Sequence, residues 1–584
     1  MSRTDKQLTE KEFYEWVRFN AEVGESSLDI AAAVAREIAA KKELPSDINQ
    51  PKLLNRGVLV APDHLNYTPD HIGAAYERSL DSSKRRNEGV HYTPYPVARE
   101  LSKLALGNLE PGPICDPSVG GGAFLLAAAE YLSGIGIKNT EIVENLLWGI
   151  DLDEGAIEVT QAALSLWGST SEWLSPKGNL VVANSLQVGI EAFPNPPSGG
   201  FKAVIGNPPF QNQLQEKTVR PMAETRYLRD RWRVNAGPYA DTAGYFLLVA
   251  ISLIAEGGRI LLIQPQSILA TADARPIREN IEESSTLMGV WVGGPNIFEA
   301  GVNVCAPLLT KGPALNPVAV WKGKDVQEQK GYFEQGESWA KAISIVQGTP
   351  SVDISGARLE SRAQATAGFR DQYYGLIDHV FECRQVGPRT APLITVGMID
   401  PLRNRWGTGK FRFGGEIRNN PVVNIETLAQ ENPNLHEWVI GRLKPKVLVA
   451  TQTKILEVLP DPEGTLIPST PTISVECAKS DIWKITAMLS SPAVSAYSFS
   501  RTAGSALSSD TIKLSAKQVN QIPLPQESDS WSEAALFAKE AFTAQSEQAW
   551  KRSLIEMGKK MGQAYESEDP ALLKWWISRI PRWR

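Results

Sequence analysis

The sequence is poor in the residues that staple small folds or build metal centres. Its 584 residues include four cysteines, Cys115, Cys305, Cys383 and Cys477, far apart and with no CxxC pair. A disulfide framework and a Cys-rich zinc site are therefore not expected; no metal is expected, and a reducing compartment fits best. Long apolar runs are also missing. The longest, near 243–255, falls short of the roughly 20 residues that span a bilayer. The opening MSRTDKQLTEKEFYEW is polar and charged, unlike a signal peptide, so no membrane and a cytoplasmic location are expected. Nor does charge of one sign dominate: 60 Lys+Arg stand against 66 Asp+Glu, a net charge of -6. That excludes a uniformly basic nucleic-acid coat. It leaves room for a local basic groove, because steering depends on where charge sits. At 42% hydrophobic and 22% charged, without repeats or long low-complexity tracts, the chain is neither disordered, nor collagen, nor a coiled-coil rod.

What is present divides by texture. Residues 1–88 read as helical: LDIAAAVAREIAAKKELP has helical apolar spacing stopped by Pro45, and IGAAYERSLDSSKRRNEG predicts a second helix reaching Gly89. From about 110 to 310, buried-strand runs (GPICDPS, LLWGIDL, LVVANSL, KAVIGNP, RILLIQPQSIL) alternate with helix patterns (AFLLAAAEYLS, EGAIEVTQAALSLW, DTAGYFLLVAISLIAEGG). That alternation predicts an α/β region with a parallel sheet covered by helices on both faces, whose ligands bind beyond the carboxyl ends of the strands. Segments 331–390 and 391–526 read as a connector and a second, mixed α+β domain; 527–584 returns to helix and carries Trp531, Trp550, Trp575, Trp576 and Trp583.

The strand ends hold the chemistry. The first leads into DPSVGGGAF, 116–124. Its glycines permit close approach of a ligand, and the helix behind them offers N–H groups to an anion; the plain alternative is a tight strand-to-helix turn. The second ends in GIDLD, where Asp151 is placed to accept from ribose hydroxyls, while Asp153 better suits a helix N-cap. The third ends in VVANSLQ, where Asn184 can meet an adenine edge or simply make a turn. The fourth ends in IGNPPF, the sharpest signal. Pro208 and Pro209 fix the backbone, the preorganised carbonyls and the Asn207 side chain can accept from a substrate amino group, and Phe210 offers a stacking face.

The ordered set HYTP (91–94), DPSVGGGAF, GIDLD, ANS (183–185) and NPPF (207–210) resembles the gamma-class N6-adenine DNA methyltransferases, which include type I modification subunits, type IIG enzymes and phage-defence methyltransferases. The resemblance covers roughly residues 70–525, with PLITVGMIDP through QIPLP similar to the family's target-recognition domain. It implies a Rossmann-like methyltransferase domain over 89–330 and S-adenosyl-L-methionine as cofactor. By that resemblance Tyr92, Thr93 and Pro94 flank the methionine end, Asp116, Pro117, Gly120 and Gly122 hold the amino-acid portion, Asp151 and Leu152 the ribose, and Asn184 and Ser185 the adenine. Asn184 stands where the family often has Asp, and Phe210 where many relatives have Tyr. Asn207, Pro208, Pro209 and Phe210 would be catalytic. Direct methyl transfer to adenine N6 of a flipped-out base is implied, with Phe298 in GGPNIFEAG as a second aromatic wall or else a core residue.

Two basic stretches read as DNA contacts. Between Lys217 and Arg233, Lys217, Arg220, Arg226, Arg229, Arg231 and Arg233 outnumber Glu224 and Asp230, with Tyr227 and Trp232 interleaved. This reads as a phosphate-gripping loop, against the alternative of a solvated charged segment. In the far domain Arg403, Arg405, Lys410, Arg412 and Arg418 alternate with Trp406, Phe411 and Phe413, and some are expected to read bases. GFRDQYY (368–374) either wedges into DNA or packs; the Trp-rich tail either docks a partner or packs on its own domain. The first 88 residues are too few for a nuclease domain, so restriction is expected from a separate protein. Partners implied are double-stranded DNA and a specificity, nuclease or helicase subunit of a restriction-modification or phage-defence system. Alternatives are a methyltransferase acting on RNA or protein glutamine, or a cofactor-sensing DNA-binding subunit.

Overall fold

The computed structural model describes residues 3–46, 48–81, 93–211, 221–294, 297–298, 302–313, 317–368, 370–504 and 510–583. The chain forms two compact units, Met1–Ala342 and Ile343–Arg584.

The first unit opens with helices α1 (Arg3–Glu22), α2 (Ser27–Lys41) and α3 (Asp70–Ser79). α2 is capped by Ser26, whose hydroxyl accepts from Asp29 N–H, satisfying one of the donors a helix start leaves open. It stops before Pro45. α3 is shorter than the sequence pattern predicts. It ends at Ser79, whose hydroxyl donates back to the carbonyls of Ala75 and Tyr76, and Leu80 is extended. A serine bonded into the preceding turn competes with helix continuation. The remainder of that pattern, 82–92, lies outside the described residues.

Next come α4 (Tyr95–Leu106), β1 (Ile114–Asp116), α5 (Ala123–Gly134), β2 (Leu147–Asp151), α6 (Glu154–Gly168), β3 (Leu180–Val182) and β4 (Phe201–Gly206). They are followed by α7 (Met222–Trp232), α8 (Thr242–Leu253), β5 (Ile254–Leu262), β6 (Gln264–Pro265), α9 (Arg275–Ser284), β7 (Thr286–Val292), β8 (Val304–Thr310), β9 (Ala319–Lys322) and β10 (Gln327–Glu328). Nine strands run β10-β9-β7-β8-β5-β4-β1-β2-β3, and β6 pairs with β8. From β3 to β5 every pairing is parallel. The expectation of a parallel sheet fails beyond β5: β8 pairs antiparallel with both β5 and β7. β7 and β8 are too close in sequence for the helical crossover that parallel neighbours need. β3 is a partly exposed edge strand rather than a buried one, with Val182 52% exposed. The apolar run at 243–255 divides into α8, buried from Thr242 to Ala250, and the start of β5.

The second unit contains two four-stranded sheets. One places Ala363–Ala367 and Lys446–Val449 on either side of Ile473–Cys477; the other is built around Thr390–Ile394 and Pro421–Asn424. A two-stranded hairpin joins Phe411–Phe413 to Glu416–Arg418. The Trp-rich tail packs within this unit. Trp531 and Trp550 are 1% exposed and Trp576 is 0% exposed. The Trp531 indole donates to the Lys484 carbonyl and that of Trp550 to Pro401. Tyr373 of GFRDQYY packs edge-on against Phe413 at 5.0 Å, while Tyr374 is exposed; its Phe369 lies outside the described residues.

Candidate active site

The strand order puts β1 between β2 and β4, so the chain reverses direction across the sheet at β1, where open α/β sheets form a crevice at their carboxyl edge. Asp116 ends β1, Asp151 ends β2, Asn184 follows β3 and Asn207 directly follows β4. All four line one cleft of about 520 Å³, within the range that holds nucleoside-sized ligands. Thr93, Pro117, Gly120, Leu152, Ser185 and Pro209 line it as well.

The glycine turn is built by backbone needs. Gly120 and Gly122 have φ of +49° and +83°, a region open to glycine at little cost. Gly122 faces away from the cleft: a Cβ there would meet Thr160, whose hydroxyl donates to the Gly120 carbonyl at 2.9 Å. The N–H groups of the turn itself, ahead of α5, are taken up within the protein. Gly120 N–H donates to Asp151 Oδ2 at 2.9 Å and Gly121 N–H to Glu77 Oε1 at 2.6 Å. The protein's own carboxylates occupy the place a phosphate would take. Asp151 also accepts from Asp153 N–H, and Asp153 caps α6 through Gly155 N–H while its other oxygen accepts from Tyr76 OH.

The cleft is acidic. Glu77, Asp116, Asp151, Asp153, Glu154 and Glu224 line it, with no Lys, Arg or His among the described lining residues. Burial pushes the Asp116 carboxyl up to about 8; the Ser118 N–H opposes this, and the charges of Asp151 and Glu77 add to it. Burial likewise raises Asp151 against its backbone hydrogen bonds. Buried acids with no basic side chain among the described lining residues suit a cationic ligand. This donor set fits S-adenosyl-L-methionine, whose sulfonium and ammonium are positive and whose ribose carries hydroxyls for a carboxylate to accept from.

Around NPPF, Asn207 and Pro209 open to the cleft while Pro208 and Phe210 are buried. The Asn207 carboxamide nitrogen donates to Thr93 Oγ1 at 2.9 Å, which ties the HYTP segment to the end of β4. Tyr92 lies outside the described residues, and Pro94 starts α4 without lining the cleft. Asp241, the N-cap of α8, accepts from Gln211 N–H and Ala243 N–H. Thr242 donates to Gln211 Oε1 at 2.9 Å, so the chain after Phe210 is held from α8. Phe210 and Phe298 meet edge to face, centroids 6.4 Å apart at 79°. Asn184 caps the short helix Ser185–Val188 through Leu186 N–H, and Ser185 donates to the Pro117 carbonyl.

The basic stretch is a helix over its described part. α7 buries Leu228 and exposes Arg226, Tyr227 and Arg231. Arg233 follows as a left-handed cap, and Arg229 is half-buried. Arg231 donates to the Gln187 carbonyl and Trp232 to that of Leu186. Lys217 and Arg220 lie outside the described residues. In the second unit, Arg403 and Arg405 are not presented as free base readers: each side chain is 16% exposed and lies beside Asp400. Arg403 stacks on Trp583 at 3.3 Å, and Arg405 lies over Phe411. Lys410 and Arg412 are exposed.

Sequence reasoning missed Tyr76 and Glu77 of α3, Glu224 of α7, and Thr242 and Phe246 of α8, all of which line the cleft. Gly73 carried a signal for the first two. A Cβ there would collide with the Gly121 carbonyl, so that glycine marks where α3 meets the glycine turn.

The fold and this cleft define a class: Rossmann-like α/β domains with a crevice at the carboxyl edge of the sheet, here lined by groups that fit S-adenosyl-L-methionine. Residues 67–332 match the family described as N-6 DNA Methylase. Type II methyltransferase M.VspI of Vibrio sp. (strain 343) is 23% identical over 211 residues, 36% of this chain and 45% of that protein. Type II methyltransferase M.XamI of Xanthomonas campestris pv. amaranthicola is 30% identical over 122 residues, 21% of this chain and 19% of that protein. The chain thus spans less than half the length of these curated relatives. Among solved structures, the Type IIL restriction-modification enzyme MmeI in complex with DNA aligns with a TM-score of 0.62 at 13% identity, covering 89% of this chain and 82% of that one. The DrdV–DNA complex aligns with a TM-score of 0.50 at 12% identity, covering 81% and 59%. Likeness at such identity speaks to fold. Among the described residues no helix is long and apolar enough to cross a membrane.

Proposed function

We propose that this protein methylates adenine N6 in double-stranded DNA at a specific sequence, as the modification arm of a restriction-modification or phage-defence system. The observation that carries the reading is that Asn207 and Pro209 line the same cleft as Asp116, Gly120 and Asp151. An amine acceptor and an acidic, nucleoside-sized pocket are then within reach of one another. When bound, S-adenosyl-L-methionine supplies an electrophilic methyl group.

The chain's own residues do the rest. Asp151 and Leu152 serve the ribose, Asn184 and Ser185 the adenine, and Asp116 with the Pro117–Gly120 turn the amino-acid end. Adenine N6 is a weak nucleophile because its lone pair is delocalised into the ring. The Asn207 carboxamide oxygen and the Pro208 carbonyl accept its two N–H groups and favour a pyramidal nitrogen. Thr93, bonded to Asn207, holds the carboxamide plane, and Phe210 stacks on the base. Flipping the base costs a few kcal/mol, and stacking returns about 1–3 kcal/mol. Phe298 stands edge-on to Phe210, so a base sandwiched between them requires one ring to turn. Arg226, Arg229 and Arg233 on and beside α7 meet phosphates. In the second unit the exposed Lys410 and the hairpin pair Arg412–Ile417 read the sequence.

We divide the labour as cofactor and target binding by 89–330 with 1–88 packed on it, a connector over 331–390, recognition by 391–526 and a structural tail over 527–584. A cytosolic location accords with four unpaired cysteines. A specificity, nuclease or helicase subunit is the class of partner such a system would supply.

The test is methyl transfer from labelled cofactor to duplex DNA, RNA and protein in parallel. Label is expected in DNA as N6-methyladenine. Asn207→Ala should keep cofactor affinity and lose transfer by ~100-fold or more, because misplacing the reacting amine is costly. Transfer by that variant at the normal rate, or label confined to RNA or protein, overturns the reading.

A further inference from the structure

We infer that Tyr76, on helix α3 outside the sheet, is a positioning residue for the ribose acceptor Asp151, acting through Asp153; this rests on the cofactor reading above. The Tyr76 hydroxyl donates to Asp153 Oδ2 at 2.7 Å. The other oxygen of that carboxylate accepts from Gly155 N–H at 2.9 Å, so Asp153 is held at both oxygens. Its own N–H then donates to Asp151 Oδ1 at 2.9 Å, while Gly120 N–H donates to Asp151 Oδ2 at 2.9 Å. Each oxygen of Asp151 is thus gripped by a backbone N–H, and one of the two belongs to a residue fixed from α3. An ionised carboxylate has about four lone-pair sites, so acceptor capacity remains for ribose hydroxyls. Tyr76, Asp151 and Asp153 all line the cleft, so this chain of bonds ends where the ligand is placed.

Docking of α3 does not by itself call for this hydroxyl. Ile72, Ala74 and Ala75 are buried, and Gly73 packs directly on Gly121. A phenylalanine would fill the same space without carrying a polar atom into the interior, where an unpaired hydroxyl is costly. Nor does the start of α6 call for a carboxylate, since a serine or threonine would accept from Gly155 N–H as a cap. What aspartate adds is the second oxygen, and Tyr76 takes it. The backbone makes room for that bond. A Cβ on Gly155 would lie 2.5 Å from the Tyr76 hydroxyl oxygen, so the glycine lets the hydroxyl reach the first turn of α6. With both oxygens of Asp153 engaged, its backbone is fixed, and with it the direction of the N–H that aims Asp151.

Tyr76→Phe keeps the ring and removes the hydroxyl. Binding of S-adenosylhomocysteine is measured by calorimetry for the full chain, Tyr76→Phe, Asp151→Ala and the double variant. Tyr76→Phe should weaken binding about threefold to tenfold, the net contribution of one hydrogen bond. In the Asp151→Ala background it should weaken binding no further, because no carboxylate is left to aim. KM for S-adenosylmethionine should rise by the same factor while kcat at saturation holds. Gly155→Ala, which crowds the hydroxyl from the opposite side, should reproduce the loss with Tyr76 in place, and it takes the place of Tyr76→Phe in the cycle if that variant does not fold. Unchanged affinity in Tyr76→Phe overturns the inference. So do additive losses in the double variant, which would mean that the hydroxyl acts on the ligand or the helix without Asp151. Failure of the wild-type chain to bind S-adenosylhomocysteine overturns the cofactor reading itself.

Discussion

Asp116 is a carboxyl kept in reserve. It is 1% exposed, and burial lifts it from 3.8 to about 8, so at neutral pH the cofactor-free protein holds it largely protonated. An acid raised in the folded state binds a proton that the unfolded chain has released. Its stabilising contribution is full below about 3.8 and is lost as pH rises through about 8. A cation seated against it reverses the preference and favours the ionised form. Cofactor binding below about pH 8 should then expel a proton, and above it should not. Calorimetry in two buffers of different ionisation enthalpy measures this directly. Near neutral pH the wild type should release a large fraction of a proton and Asp116→Asn markedly less. Equal release by both would show that Asp116 does not meet the cation.

At the scale of elements, α7 links the cofactor cleft to the proposed DNA face. Glu224 in its first turn lines the cleft, and Trp232 in its last is bonded to the Leu186 carbonyl just after the proposed adenine contacts. Arg226 and Arg229 lie on the helix, whose buried residue is Leu228, and Arg233 is its left-handed cap. Each phosphate contact contributes about 0.9 to the salt slope of duplex binding. Replacing Arg226 and Arg233 with Ala should weaken DNA binding alike for all sequences and lower that slope by roughly two, with cofactor affinity intact. Titrations on specific and nonspecific duplexes at several salt concentrations check it; an unchanged slope removes α7 from the interface. Arg231 is a poor choice for this test, because it is already bonded to Gln187. How much of the site was legible follows the same geometry. Asp116, Asp151, Asn184 and Asn207 were readable because each sits at a strand end with its motif beside it. Glu77 and Tyr76 were not, because their role depends on α3 crossing the glycine turn, a contact between segments over 40 residues apart. Nor was the turn's pairing with the protein's own carboxylates in place of a bound anion, since a glycine loop has the same sequence for either. The antiparallel β8 was hidden too, for a short buried strand carries no mark of its direction.

At the scale of the molecule, every described residue lining the cleft belongs to Met1–Ala342, whereas the tryptophans of 527–584 are spent inside Ile343–Arg584. Trp550 is 1% exposed, donates to the Pro401 carbonyl, and meets Trp583 at 5.4 Å. Trp583 in turn covers the Arg403 guanidinium. That stack sets the charge of Arg403 beside Asp400 and its face against an indole. Trp550→Ala removes the indole and its hydrogen bond together, and a Trp-to-Ala change in a core costs ~3–5 kcal/mol. The loss should fall on the second unit alone. Chemical denaturation followed by tryptophan fluorescence should show the destabilisation, and S-adenosylmethionine should bind the variant as it binds the wild type. Sequence-specific methylation should decline with the folded fraction of the second unit. If Trp550→Ala instead left stability untouched and abolished association with another protein, the tail would be a docking surface and its burial here would have been misread.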